Sequence, residues 1–327
     1  MEVVHQVISS LGAFAPVTCI LLFLLASLLV IWRLEALSGQ GVEGTVLGTL
    51  FMPFCSGMGN IVFALVLAMN AGKGEDVLIN CLFNNITNLT LLIGGPVLIW
   101  SMASIPRKKT KAVVLEHKMG RLSLALNLVA ALFFSLFLWL LAADGKLTRM
   151  DGFVLLLLFV FWQCFHIYDV KKTNLLKKKT YPLTLPLEVF LLMLGAAGVF
   201  ISADWLVQWF QSLESEAVSS NVLGWASGVL MVLPNAILAF YYGAKNRMDV
   251  VYTSQSGDAH ICIPLCIGIF AIFSDIPASG FLQRSLLILM GLCLAHLLFV
   301  VILGKLPRLA AAVLLGAFGY FLWTGLA

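Results

Sequence analysis

Two polar clusters within otherwise apolar segments have the residue types and spacing for cation binding. The first has asparagines at positions 84, 85 and 88, and the second is the stretch QSGDAH at 255–260. An ionised carboxylate is costly to bury in hydrocarbon, so Asp258 indicates a functional site. Amide and hydroxyl oxygens are neutral ligands for a cation. The predicted ion-binding residues are Asp258, Asn84, Asn88, Asn235, Asn85, Ser256 and His260.

The segments around these clusters are long and apolar. The chain is 61% hydrophobic and 11% charged, with a mean hydropathy of +1.01. This composition excludes a soluble domain, and runs of about 20 apolar residues indicate membrane-spanning helices. We predict an all-α polytopic membrane protein with ten transmembrane helices, at about 13–35, 43–70, 77–101, 121–142, 151–168, 185–210, 221–244, 250–274, 281–303 and 307–325.

Helix breaks are predicted at residues 232–235 and 255–260. Proline removes a backbone donor, and glycine lowers the cost of bending. Within a membrane, irregular backbone is tolerated only inside the protein or along a watery cavity. The predicted hinge or break positions are Pro53, Gly57, Pro234 and Gly257, and they favour an ion site near the bilayer midplane.

The basic residues predict the orientation of the chain in the membrane. With ten spans, most of the 20 Lys and Arg residues fall in loops on one side, which is expected to be cytoplasmic. Both termini are then outside, and residues 171–184 form a basic cytoplasmic linker. We expect a multi-pass protein of the plasma or inner membrane. Its expected partners are the lipid bilayer and small inorganic cations, without nucleic acid or a cofactor.

The linker separates two sets of five spans, at residues 1–170 and 185–327. Because five is odd, the second set enters the membrane in the opposite orientation to the first. In both sets a span with a central proline precedes a span with a polar cluster, within residues 43–101 and 221–274. This pattern indicates two inverted five-helix repeats, the usual plan of an alternating-access transporter.

At these residues the chain resembles the cation/calcium antiporter superfamily, which includes the sodium/calcium exchangers. The resemblance implies a sodium/calcium exchanger-like fold and secondary active cation antiport. The family's two signature glutamates fall on Phe54 and Asn235. Its other signature positions fall on Asn84, Asn85 and Asn88 in the first repeat and on Asp258 and Cys262 in the second. Both glutamates are therefore absent, and Asp258 stands where the family usually has a hydroxyl.

The predicted site carries at most one negative charge. Ca²⁺ takes six to eight oxygens and usually several carboxylates. An amide-rich pocket with one carboxylate therefore favours a monovalent cation or proton-linked exchange over Ca²⁺. Such a pocket is expected to hold a divalent ion only weakly, unless Glu188 or Asp275 reaches it.

Three other interpretations remain open from the sequence. An intramembrane enzyme could use Asp258 and His260, although no nucleophile–base pair accompanies them at useful spacing. A non-transporting sensor could retain the same fold without the glutamates. A soft-metal site for zinc or manganese could use Asp258, His260 and Cys262, since imidazole and thiolate are zinc ligands. His260 lies two positions from Asp258 and so faces nearly the opposite side of an ideal helix.

Overall fold

The structure of this chain, a computed structural model, describes residues 2–39, 54, 57–100, 111–174, 185–214 and 222–326. Nearly all of these residues are helical. The elements of the first half are α1 (Glu2–Ser9), α2 (Ala15–Gly39), α3 (Met58–Met69), α4 (Gly74–Leu89), α5 (Leu91–Trp100), α6 (Lys111–Leu141), β1 (Lys146–Leu147) and α7 (Arg149–Asn174).

The second half repeats this arrangement of helices. Its elements are α8 (Leu185–Glu214), α9 (Val222–Ala244), α10 (Met248–Gly257), α11 (Ala259–Ile261), a π-helix (Cys262–Ile267), α12 (Gly268–Phe273), β2 (Ile276–Pro277), α13 (Gly280–His296), a second π-helix (Leu297–Ile302) and α14 (Arg308–Leu326).

The polytopic all-α prediction is confirmed. In the described part of the chain, eight helices are long and apolar enough to cross a membrane. The shorter apolar helix α3 and the helix α7 occupy the places of two further predicted spans. One of these eight spans, Gly74–Trp100, is 94% buried inside the protein, which makes it the central helix of the first half.

Some predicted boundaries are wrong. Helix α6 begins at Lys111, so it extends into the region predicted as a loop before residue 121. Helix α7 continues to Asn174, so the first residues of the predicted linker 171–184 are helical. Residues 175–184 lie outside the described part of the chain.

Helix α9 runs through Pro234 without a break. The interruption predicted at this proline is therefore wrong. Pro234 lacks a backbone N–H, so the carbonyl one turn earlier loses its usual partner while the helix continues. A hinge role for Pro234 remains a prediction.

The connecting segments at one end of the bundle are joined across the two halves. Strands β1 and β2 pair in an antiparallel register that places Leu147 opposite Ile276. Lys146 Nζ lies 3.0 Å from Asp275 Oδ2 in an exposed ion pair, which raises the pKa of the lysine. The topology predicted from the sequence places successive loops on alternating sides of the membrane. The loops that contain β1 and β2 then lie on the same side, as their pairing requires.

The first helix of each half packs against the other. Two glycines of α8 face α2, and a Cβ at Gly195 would lie only 2.7 Å from Val30 Cγ2. A Cβ at Gly198 would lie 2.8 Å from the Ala26 Cβ. Small residues at such positions let helix backbones approach closely in a membrane. Helices α2 and α8 therefore form a close pair.

Candidate functional site

The second predicted helix break lies at Asp258. Helix α10 ends at Gly257, and the short helix α11 begins at Ala259. A π-helix follows and contains Pro264, which has no N–H to donate. π-helical turns are frequently found at functional sites. The break therefore places the Asp258 side chain, which is 0% exposed, in the protein interior.

The Asp258 carboxylate accepts hydrogen bonds from both halves of the protein. Asn88 Nδ2 of α4 donates to Asp258 Oδ2 at 2.8 Å. Asn235 Nδ2 of α9 donates to the same oxygen. Hydrogen bonds to a charged group contribute about 1.5–3 kcal/mol each. The three residues thus form a compact contact between the two central helices and the break.

Several amide oxygens on α3, α4 and α10 lack a hydrogen-bond donor in the part of the chain that the structure describes. Each belongs to a side chain that is no more than 1% exposed. A buried acceptor left without a donor costs about 1–3 kcal/mol, so each of these oxygens needs a partner such as a water molecule or a cation. These oxygens are the side-chain carbonyls of Asn60, Asn80, Asn84, Asn85, Asn88 and Gln255.

Asn60 and Gln255 were not among the residues predicted from the sequence. Asn60 is the one polar side chain of α3, and neither its oxygen nor its nitrogen has a partner among the described residues. A lone asparagine in an apolar helix was the available signal. Gln255 Nε2 donates to Ser254 Oγ at 3.1 Å, and Gln255 Oε1 has no donor among the described residues.

Ser256 and His260 are predicted site residues whose described contacts lead elsewhere. Ser256 Oγ donates to the Thr253 carbonyl of its own helix at 3.4 Å. Trp162 Nε1 donates to His260 Nδ1 at 3.3 Å, so His260 Nε2 carries the proton and donates to the Asn127 carbonyl at 3.2 Å. Both ring nitrogens are therefore engaged by α6 and α7.

The cysteines lie one turn beyond the carboxylate. Asn84 Nδ2 donates to Cys262 Sγ at 3.3 Å, and the Cys81 thiol contacts both Cys262 and Cys266. Among the described residues, no group of three or more His, Cys, Asp and Glu side chains is arranged to hold a metal ion. The geometry gives no support to the soft-metal site that uses Asp258, His260 and Cys262.

The signature-glutamate position of the first repeat is occupied by an aromatic ring. Phe54 packs edge-on against Phe159 of α7, with ring centroids 5.7 Å apart. Gly57 is buried and immediately precedes α3, so a helix does begin at this predicted break position. Pro53 lies outside the described residues.

The two acids considered as additional ligands point elsewhere. Glu188 Oε2 lies 3.1 Å from Arg33 Nη1, in an ion pair between α8 and α2. Asp275 pairs with Lys146 at the end of the bundle. Asp258 is therefore the carboxylate that contacts the site asparagines Asn88 and Asn235.

A further break divides the central span of the first half, and the sequence did not reveal it. Helix α4 ends at Leu89, where the freed carbonyl accepts a hydrogen bond from His296 Nε2 at 2.7 Å. Tyr252 Oη lies 3.1 Å from His296 Nδ1 and donates to it, which fixes the tautomer. A buried histidine thus satisfies backbone that could not be left unpaired in a membrane.

Comparison with known proteins identifies the fold. The profile of a family described as "Sodium/calcium exchanger protein" matches residues 11–168 and 187–326. A structure of the sodium-calcium exchanger NCX_Mj soaked with 2.5 mM Na⁺ and 10 mM Sr²⁺ is similar over 97% of both chains, with 20% identity and a TM-score of 0.66. A second, soaked with zero Na⁺ and Ca²⁺, is similar over 99% of both, with 18% identity and a TM-score of 0.66. No curated protein matches the chain.

Proposed function

Because the chain belongs to the sodium/calcium exchanger family, we propose that it is a secondary active cation antiporter with an ion site at Asp258. Members of this family are transporters and not enzymes, so the prediction of a non-enzymatic transporter is confirmed. The proposal beyond family membership concerns the site, the ion and the way the site opens.

The observation that carries the proposal is the environment of Asp258. The carboxylate is fully buried at a helix break and receives one amide from each repeat, Asn88 and Asn235. Asn88 itself and Asn84, one turn earlier on α4, carry amide oxygens without donors in the described structure. A negative charge and neutral oxygens converging on broken helices form the usual ion site of transporters with inverted repeats. A carboxylate with a purely structural role would explain the hydrogen bonds that Asp258 accepts. It would not explain the amide oxygens that lack donors.

The contact between Asn235 and Asp258 accounts for the missing glutamate of the second repeat. The resemblance places that glutamate at position 235 on α9, where this chain has an amide. Asn235 touches Asp258 across the site, on the segment between α10 and α11. Relative to the family pattern, the negative charge is therefore absent from α9 and is supplied by Asp258 on the neighbouring segment, in contact with position 235. In the first repeat Phe54 supplies no such replacement.

The site favours a monovalent cation, such as Na⁺, or a proton. Asp258 supplies one charge, and the asparagines supply neutral oxygens. Glu188 and Asp275, which could have added charge, are engaged in ion pairs elsewhere. Ca²⁺ usually binds several carboxylates, so this donor set disfavours it. Asn84, Asn88 and Asn235 are the neutral ligands proposed here, with Asn85, Asn60 and Gln255 close by in sequence or on adjoining helices.

Alternating access is proposed to arise from sliding of the α2–α8 pair. The Arg33–Glu188 ion pair joins these helices, and Gly195 and Gly198 bring them close together, so they can move as one body. Helices α4, α9 and the broken span around Asp258 carry the site and would stay in place. Movement of the pair across this core would expose Asp258 first to one side of the membrane and then to the other.

The test is a panel of cation fluxes into proteoliposomes. Na⁺, K⁺, Ca²⁺, Mn²⁺ and Zn²⁺ are offered under an imposed pH or Na⁺ gradient, with Asp258→Asn as the site variant. Asp204→Asn is the matched control, because Asp204 is also a buried acid in a span and accepts from Gln208 of its own helix.

We expect flux of a monovalent cation or proton-coupled exchange that Asp258→Asn abolishes and Asp204→Asn retains. Equal loss in both variants would refute a specific role for Asp258. Silence of the folded wild-type protein across the whole panel would refute transport of these ions and favour the sensor alternative.

A further inference from the structure

A column of polar side chains winds gradually around α4. Asp76, Asn80, Asn84 and Asn88 recur at every fourth residue, and none is more than 1% exposed. Residues four apart on a helix are neighbours on nearly the same face. Successive members are therefore about 6 Å apart along the axis, and Asp76 is about 18 Å from Asn88. The column runs from the start of the helix to the site at Asp258.

The three asparagines of the column donate their side-chain N–H groups to residues of the second half of the protein. Asn80 Nδ2 donates to Ser227 Oγ at 3.0 Å, and Asn84 and Asn88 donate to Cys262 and Asp258. The side-chain oxygens of these three asparagines have no donor among the described residues. The asparagines thus provide about one buried acceptor oxygen per turn of α4, and the last of them, Asn88, contacts the Asp258 carboxylate.

Asp76 has an evident structural role. Its Oδ1 accepts a hydrogen bond from the Gly224 backbone N–H at 3.0 Å, in the first turn of α9. A carboxylate at a helix N-terminus is favoured by the helix dipole. This capping role explains why an acid is tolerated there. It does not explain the acceptor oxygen of Asn80 one turn further on, which is 0% exposed and has no donor in the described structure.

We propose that Asp76 and Asn80 form a second cation site, from which an inorganic cation reaches Asp258 along the α4 oxygens. This inference rests on the proposed transport function. Asp76, which is 1% exposed, supplies the negative charge that attracts a cation to this site. Asn80 and Asn84 then replace water oxygens on the way to Asp258. The two carboxylates are about 18 Å apart along α4, which leaves room for a separate ion at each.

The decisive variant is Asp76→Asn, because an asparagine oxygen can still accept from the Gly224 N–H and keep α9 capped. Glu75→Gln is the matched control, since Glu75 is the adjacent acid in the same first turn of α4. Initial Na⁺ flux is measured against Na⁺ concentration in proteoliposomes, and Na⁺ binding at equilibrium is counted on purified protein. Thermal unfolding reports whether each variant retains its fold.

We expect Asp76→Asn to raise the KM for Na⁺ by about tenfold or more, which is 1.4 kcal/mol, with kcat retained at saturation. The stoichiometry should fall from two Na⁺ per chain to one, whereas Glu75→Gln should leave both quantities unchanged. An unaltered KM and stoichiometry in folded Asp76→Asn, with active wild-type protein, would overturn this inference alone and leave Asp76 as a helix cap. A wild-type protein without flux would overturn this inference together with the proposed function.

Discussion

Replacing Asn235 by aspartate should convert the site from one that prefers monovalent cations to one that binds divalent cations. Asn235 Nδ2 touches Asp258 Oδ2, so the substitution Asn235→Asp places a second carboxylate oxygen against the first with almost no change in shape. Without a cation the two carboxylates repel each other. With a cation between them, both attract it.

The magnitude follows from the contact distance. A cation about 4 Å from the new charge gains about 4 kcal/mol per unit of its own charge, at an effective dielectric constant of about 20. Ca²⁺ therefore gains about 4 kcal/mol more than Na⁺, which is roughly a thousandfold change in the ratio of their affinities. The repulsion between the empty carboxylates affects both ions equally and cancels from this ratio.

The assay is the half-saturating concentration of Na⁺ and of Ca²⁺ for flux into proteoliposomes, compared between the wild type and Asn235→Asp. Asn127→Asp is the matched control, because Asn127 is another buried span amide whose described contact is its backbone carbonyl with His260. An unchanged ratio in Asn235→Asp would refute the placement of the cation at this contact. An equal shift of the Na⁺/Ca²⁺ affinity ratio in Asn127→Asp would show that a buried negative charge elsewhere in the protein has the same effect.

Three further substitutions test other parts of the structure. His296→Phe should lower the free energy of unfolding by about 1–3 kcal/mol, because it leaves a buried carbonyl unpaired, whereas Tyr252→Phe should cost less; thermal unfolding in detergent compares them. Asn60→Leu should stabilise the cation-free protein by removing an unsatisfied buried amide, yet reduce flux, and stabilisation with unchanged flux would exclude Asn60 from the site. Gly195→Leu should abolish flux, because its side chain must displace Val30 and separate the sliding pair, and full activity would contradict the proposed movement.

The fold could be predicted because the membrane imposes simple rules. A span must be long and apolar, so the polytopic all-α architecture follows from the sequence. Boundaries were less certain because a helix can project beyond the bilayer, as α6 does from Lys111. The continuity of α9 through Pro234 was missed because a proline can remove one hydrogen bond without ending a helix.

The candidate site was predictable where several polar residues stand together in an apolar run. Asn88, Asn235 and Asp258 meet in the structure, although they are far apart along the chain. Asn60 was missed because it stands alone. His296 was missed because the break that it completes, after Leu89, precedes the nearest glycine and proline, Gly94 and Pro96, by a turn or more.

The short pairing of β1 with β2 has a practical consequence. Backbone hydrogen bonds and the Lys146–Asp275 ion pair fasten the two halves of the core together at one end of the bundle. If α2 and α8 slide, the β1–β2 pair belongs to the part of the protein that stays in place. Distances between residues of β1 and β2 should therefore be constant through the transport cycle. A spectroscopic label at the exposed Ala143, beside β1, would therefore serve as a fixed origin that leaves the ion pair intact, and a second label on α2 would report displacement directly.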